Sequence, residues 1–182
     1  MGERMPRADL DPSAELVSLL ARRGLTIAVA ESLTGGLVVA ELVRVPGASA
    51  VVRGGVVAYA TALKHSVLGV SAELLAREGA VHPEVAAGMA EGVRRVLAVQ
   101  GASASIGVST TGVAGPDPQG GRPPGVVFVG VSIADRTEVR ELALQGDRSE
   151  IRRATVDAAI AAVLDALRDD DDDESGDEGA TR

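Results

Sequence analysis

Apolar and polar positions alternate along the chain in blocks that change period several times. After Ser13, Leu16, Leu19 and Leu20 recur on one helical face and Gly24 stops the run, predicting a helix over 13–23. Residues 25–30, L-T-I-A-V-A, form a short apolar run of the kind buried in a sheet. The turn E-S-L-T-G-G follows, and G-L-V-V-A-E-L-V-R-V reads as a helix that ends before Pro46. Beyond the turn P-G-A-S come the apolar stretch G-G-V-V-A-Y and a helical segment through Lys64 to Leu68. Helices are expected over 72–78 and 83–99, the second opening at His82-Pro83-Glu84 with proline at an early helical position.

The second half changes character. Residues 103–109 read as a strand, and a loop over 111–125 rich in glycine and proline follows. The segments G-V-V-F-V-G-V-S-I and T-E-V-R-E-L-A-L are two further strands joined by a short A-D-R turn, and a last helix covers about 147–167. Strands alternating with helices, plus one adjacent strand pair, predict an α/β fold with a mixed sheet in one domain. The expected organisation is a flexible N-terminus over 1–12, a globular body over 13–167 and a disordered acidic tail over 168–182.

Composition narrows the chemistry. The 182 residues include one Phe, one Tyr, no Trp and no Cys, so the core is aliphatic and neither disulfides nor thiolate metal sites are available. His65 and His82 are too few for a typical zinc site. No apolar run approaches the ~20 residues that span a bilayer, and the first ten residues lack a signal-peptide core. A cytoplasmic protein with no membrane partner is expected. The formal charge of -8 is concentrated in residues 169–182, which hold eight acids and Arg182. Residues 1–168 are nearly neutral and present no basic field for nucleic acid.

Three places can carry chemistry. The strand-to-helix turn Glu31–Gly36 combines Ser32 and Thr34 hydroxyls with Gly35 and Gly36, which permit close approach of a ligand. Such a turn can hold a phosphate or an oxyanion. Taken alone, capping of the helix by Ser32 or Thr34 is the simpler reading. Lys64 is the single lysine among 18 basic residues. Arginine serves as well for surface charge, but only a lysine readily gives up its proton in a pocket and acts as a base. Tyr59, the only tyrosine, stands five residues before it. A surface lysine and a packing tyrosine are an equal alternative. A Ser-His-Asp arrangement through His65 or His82 has no supporting motif. In the 111–125 loop, T-G-V-A-G-P-D can curl its amides into an anion-binding nest. Arg122 and Arg148 are cations able to meet a phosphate there, although Arg122 fits solvent exposure better.

Taken together, A-E-S-L-T-G-G, P-G-A-S, G-G-V-V-A-Y-A-T-A-L-K, L-G-V, G-A-V, T-G-V-A-G-P-D, P-G-V-V-F-V and G-D-R-S-E-I-R-R follow one another as in a single family. In order and spacing, over about residues 13–167, the chain resembles the CinA C-terminal domain family, which includes stand-alone nicotinamide-nucleotide amidases. The resemblance implies a three-layer α/β/α sandwich. It implies hydrolysis of the carboxamide of nicotinamide mononucleotide to nicotinate mononucleotide and ammonia, without metal or cofactor. It puts the nucleophile at Ser32, the general base at Lys64 and their partner at Tyr59. It puts Thr111, Gly112, Ala114, Gly115 and Arg148 around the substrate, and Glu31, Thr34, Gly35 and Gly36 of the serine turn are the further substrate-binding candidates. A homodimer or higher homo-oligomer is expected.

The sequence departs from the family pattern at Leu33, where many members carry Cys or a small residue, and at Thr61, where Asn is frequent. The nucleotide-processing domain of full-length CinA, and with it any pyrophosphatase activity, is not expected. The alternatives are a non-catalytic nucleotide-binding or interaction domain tied to competence or DNA repair, and an amidase for another carboxamide.

Overall fold

The computed structural model describes residues 11–176. Its chain order is α1 (Pro12–Arg23), β1 (Ile27–Glu31), α2 (Leu37–Val43), a short 3-10 turn, β2 (Val52–Val57), α3 (Thr61–Ser66), α4 (Ala72–Glu78), α5 (Pro83–Val96), β3 (Ile106–Gly112), β4 (Val126–Ile133), β5 (Arg136–Ala143) and α6 (Arg148–Gly176). The five strands lie in the order β2-β1-β3-β4-β5. β1 runs parallel to β2 and β3, whereas β4 is antiparallel to both β3 and β5. This is the mixed sheet that the alternating elements and the terminal hairpin predict.

The alternation of side chains across a strand assigns the layers. Ile27 and Val29 of β1, with Ile106 and Val108 of β3, pack into one core with Leu16 and Leu20 of α1, Val38 and Leu42 of α2, and Ile151, Ile160 and Val163 of α6. Ala28 and Ala30 face the other way, into a second core with Leu74 and Leu75 of α4 and Val85, Met89 and Val93 of α5. The fold is therefore an α/β/α sandwich with aliphatic cores on both faces.

The α5 side is drawn in tightly. A Cβ on Gly107 of β3 would lie 1.9 Å from the Ala90 carbonyl oxygen of α5. Gly107→Ala therefore forces helix and sheet apart, with an expected loss of about 3 kcal/mol read as a lower urea midpoint at unchanged slope.

Several boundaries differ from expectation, and α5 ends at Val96 rather than at residue 99. α1 is capped by Asp11, whose carboxylate accepts from Ser13 N–H at 3.0 Å, so the helix starts on Pro12 rather than on a Ser13 cap. β3 is shifted three residues towards the C-terminus, so Thr111 and Gly112 belong to the strand and the following loop is shorter. The backbone of α6 continues to Gly176, so residues 168–176, expected in an unstructured tail, extend the helix instead. Once a helix is nucleated, each added residue gains a backbone hydrogen bond at little further cost. Residues 1–10 of the expected flexible N-terminus and 177–182 of the tail lie outside the described residues.

Among the described residues no helix is long and apolar enough to cross a membrane.

Candidate active site

The C-terminal ends of β1, β2 and β3 converge on one cavity of about 150 Å³. β1 leads through α2 on one face to β2 on one side, and β3 lies on its other side, so the strand order reverses at β1. Parallel strands part their loops at such a reversal and leave a crevice for a ligand. Ser32, Leu33, Tyr59, Lys64, Thr111, Gly112, Ala114, Gly115, Asp117 and Arg148 are among its lining residues. The sequence-derived candidates from four separate segments thus come together.

Ser32 directly follows β1, and its N–H donates to Thr110 O of β3 at 3.0 Å, which fixes the serine at the strand end. Lys64, in the short α3, is fully buried, and its Nζ lies 3.1 Å from Ser32 Oγ. The same nitrogen donates to Ala58 O at 2.7 Å. Among the described residues no carboxylate pairs with it. Burial disfavours the ammonium form and lowers the Lys64 pKa from 10.5 to about 8. A serine hydroxyl thus meets an amine that is easily deprotonated, in a site largely closed to water.

Tyr59 is exposed at the cavity rim, and its hydroxyl accepts from Arg148 Nη2 at 3.0 Å. Arg148 also donates through Nη1 to Gly115 O at 2.7 Å. It therefore ties the tyrosine to the glycine loop, and two of its five donors are spent on protein rather than on a ligand. Arg148 owes its place to a capping box at the start of α6. Asp147 accepts from the N–H groups of Ser149 and Glu150, and Glu150 accepts from Asp147 N–H.

The turn after Ser32 differs from its sequence reading. Glu31 shares the sheet face of Ile27 and Val29, so its side chain points towards α2 rather than into the cavity. Its carboxylate accepts from Gly36, Val38 and Val39 N–H at 2.9, 3.1 and 3.0 Å, and the residue is fully buried. Glu31 thus caps α2 from below, and neither Ser32 nor Thr34 does. The Thr34 hydroxyl is buried against Thr110 Oγ1 at 2.8 Å. Glu31, Thr34, Gly35 and Gly36 support the turn without lining the cavity. Gly35 and Gly36 also have their amides engaged, by Ser32 O and Glu31 respectively. Among the described residues the amides of Leu33 and Thr34 have no acceptor, and neither have those of Ala114 and Gly115.

The Thr111 hydroxyl lies at the cavity but donates to Ala80 O at 2.6 Å. Leu33, almost fully buried, forms an apolar wall and joins the α1–α2–α6 core. His65 Nδ1 is 2.7 Å from Val70 O, and His82 Nδ1 accepts from Glu84 N–H, so neither histidine serves as a base for Ser32. The Arg122 guanidinium lies over the Phe128 ring, 5.8 Å from its centroid.

Arg152 escaped the sequence reading. Its Nε donates to Leu33 O at 2.9 Å and its Nη2 to Thr34 O at 2.8 Å, so it grips the turn beside Ser32. A usable signal was present, since Arg148 and Arg152 are four residues apart and share one face of α6. Among the described residues no group of three or more acidic, histidine or cysteine side chains could hold a metal.

A buried serine–lysine pair at the mouth of a mixed α/β sheet defines a class of site suited to nucleophilic chemistry. Comparison with known proteins supplies the family. The model of the CinA C-terminal domain matches residues 10–167, so the chain belongs to that family. It is 47% identical over 161 residues to a CinA-like protein of Frankia casuarinae, covering 88% of this chain and 35% of that protein. It is 48% identical over 152 residues to a putative competence-damage inducible protein of a Geobacillus strain, covering 83% and 35%. The chain thus spans about a third of the length of these curated relatives.

Solved structures agree. A competence/damage-inducible protein of Agrobacterium tumefaciens matches at TM-score 0.75 and 31% identity, over 87% of this chain and 98% of that one. A CinA-superfamily protein of Klebsiella pneumoniae matches at TM-score 0.81 and 28% identity, over 86% and 96%.

Proposed function

We propose that this domain is an amidohydrolase that deamidates the pyridine carboxamide of nicotinamide mononucleotide, giving nicotinate mononucleotide and ammonia. The observation that carries this reading is the 3.1 Å contact between Ser32 Oγ and the buried, easily deprotonated Lys64 Nζ. Neutral Lys64 takes the Ser32 proton as Oγ attacks the carboxamide carbon. The C–N bond of the tetrahedral intermediate then breaks, and the proton held by Lys64 leaves with ammonia. Water, deprotonated by the same amine, attacks the acyl-enzyme and releases the carboxylate with Ser32 restored. Tyr59, held by Arg148, borders the leaving group. The apolar wall at Leu33 suits the face of a pyridine ring. The free amides of Ala114 and Gly115, with the remaining donors of Arg148, suit the anionic end of a mononucleotide. No step needs a metal or a redox cofactor.

Ammonia release from nicotinamide mononucleotide by wild type and Ser32→Ala tests the reading. Wild type is expected to turn over, and Ser32→Ala to lose at least about 10³-fold in kcat. Turnover by the alanine variant at the wild-type rate would remove Ser32 from the mechanism. A wild type that hydrolyses free nicotinamide or another carboxamide, and not the nucleotide, would redirect the substrate.

A further inference from the structure

The turn that carries Ser32 is gripped from two sides. From the sheet, Glu31 holds the amides of Gly36, Val38 and Val39. From α6, Arg152 reaches two successive carbonyls, Leu33 O through Nε and Thr34 O through Nη2. A peptide group is planar, with its N–H directed opposite its C=O. Holding Leu33 O therefore fixes the direction of Thr34 N–H, which belongs to the same peptide. Thr34 N–H and Leu33 N–H are the two amides of the turn with no protein acceptor, whereas those of Ser32, Gly35, Gly36 and Leu37 are all engaged. Gly35, at φ +60°, fits the same grip, since a Cβ there would meet Arg152 Nη2 at 3.4 Å.

We propose that Arg152 is a positioning residue that holds the turn after Ser32 by the Leu33 and Thr34 carbonyls, so that the free amide of Leu33, a residue that lines the cavity, is set to bind the oxyanion formed when Ser32 attacks a carbonyl. Arg152 touches neither Ser32 Oγ nor Lys64 and lies outside the residues that line the cavity. It acts through the backbone. The inference rests on Ser32 as nucleophile but not on which carboxamide is hydrolysed. Loss of one oxyanion donor typically costs about 10²–10³-fold in kcat, and a donor left in place but loosely oriented costs part of that.

The experiment compares wild type, Arg152→Ala, Arg152→Lys and Ser32→Ala with two probes independent of the natural substrate. One is the acylation rate of Ser32 by p-nitrophenyl acetate. The other is the affinity for pyridine-3-boronic acid, which forms a tetrahedral anion on a reactive serine. Nicotinamide mononucleotide binding, ammonia release and urea unfolding are measured alongside.

Arg152→Ala is expected to fall about 30-fold in acylation rate and boronate affinity, with nucleotide affinity within twofold of wild type. Arg152→Lys, which keeps a charge able to reach one carbonyl, is expected to recover part of the loss. Wild-type acylation and boronate affinity in Arg152→Ala would overturn the proposal. So would a loss that weakens nucleotide binding equally, which marks a collapsed site. A wild type that takes up neither probe would overturn it too. Failure of the nucleotide amidase reading looks different: wild type reacts with both probes and releases no ammonia from the nucleotide.

Discussion

Replacing Lys64 by arginine is expected to reduce carboxamide hydrolysis by about 10³-fold or more, because the positive charge remains while the proton acceptor disappears. Arginine is also larger than the fully buried lysine it replaces, so Lys64→Met provides a second, nearly isosteric variant. Both variants are expected to be inactive, and Lys64→Met to keep the native circular dichroism spectrum. Activity in a folded Lys64→Met protein would show that another group takes the Ser32 proton.

The wild-type pH profile carries the same information. Burial holds Lys64 at about pKa 8, and only the neutral amine can act as the proposed base. The rate is therefore expected to rise tenfold per pH unit below about 8 and to level off above it. Stability follows a related course. The native state holds Lys64 at about 8, against 10.5 in the unfolded chain. Between those values the unfolded chain binds more protons, so this residue's contribution to stability rises with pH through that window. Below about pH 8 the buried ammonium is a standing cost, and the protein carries it at the residue proposed as the base. Urea unfolding of wild type and Lys64→Met at pH 7 and pH 9.5 is expected to show the wild type gaining on the variant at the higher pH.

The second large effect is expected at Glu31, and it is structural. Glu31→Ala removes a buried carboxylate that accepts three backbone N–H groups of the α2 entry. Buried donors without acceptors cost about 1–3 kcal/mol each, and part of α2 can relax towards water, so a loss of about 4 kcal/mol is expected. Glu31→Gln keeps the shape but sets an amide NH₂ against one of those N–H groups, and about half that loss is expected. Urea midpoints read both. Because Ser32 is the next residue, each variant is also expected to lose kcat more than nucleotide binding. A Glu31→Gln protein with wild-type stability and reduced affinity would instead put the carboxylate on the ligand.

Much of the fold could be read from the chain because each segment carries its own period and punctuation. Residues 72–78 were expected as a helix and form α4 without shift, between a Ser71 cap and Gly79. The G-V-V-F-V-G-V-S-I and T-E-V-R-E-L-A-L runs form β4 and β5 to within a residue. β3 was placed three residues early because Thr110, Thr111 and Gly112 look like loop residues. Their polarity is tolerated in a buried strand because Thr110 pairs with Thr34 and Thr111 with Ala80 O. Those partners are distant in sequence and invisible to a local pattern.

The site divides in the same way. The lone lysine, the serine turn and the glycine loop are marked by residue type, and the order of motifs marks the family. The sequence by itself determined which side chains are available for chemistry, since composition leaves one lysine and one tyrosine to choose from. The tertiary structure alone decided their environment. It buried Lys64 with no carboxylate partner among the described residues, and desolvation lowers its pKa. It turned Glu31 to the α2 face by strand alternation, away from the cavity. It also brought Arg152 from 120 positions downstream of Ser32 onto the adjacent carbonyls, because α6 packs against α2 and across β3 and β4. Burial, facing and long-range contact arise from packing, and no single segment encodes them.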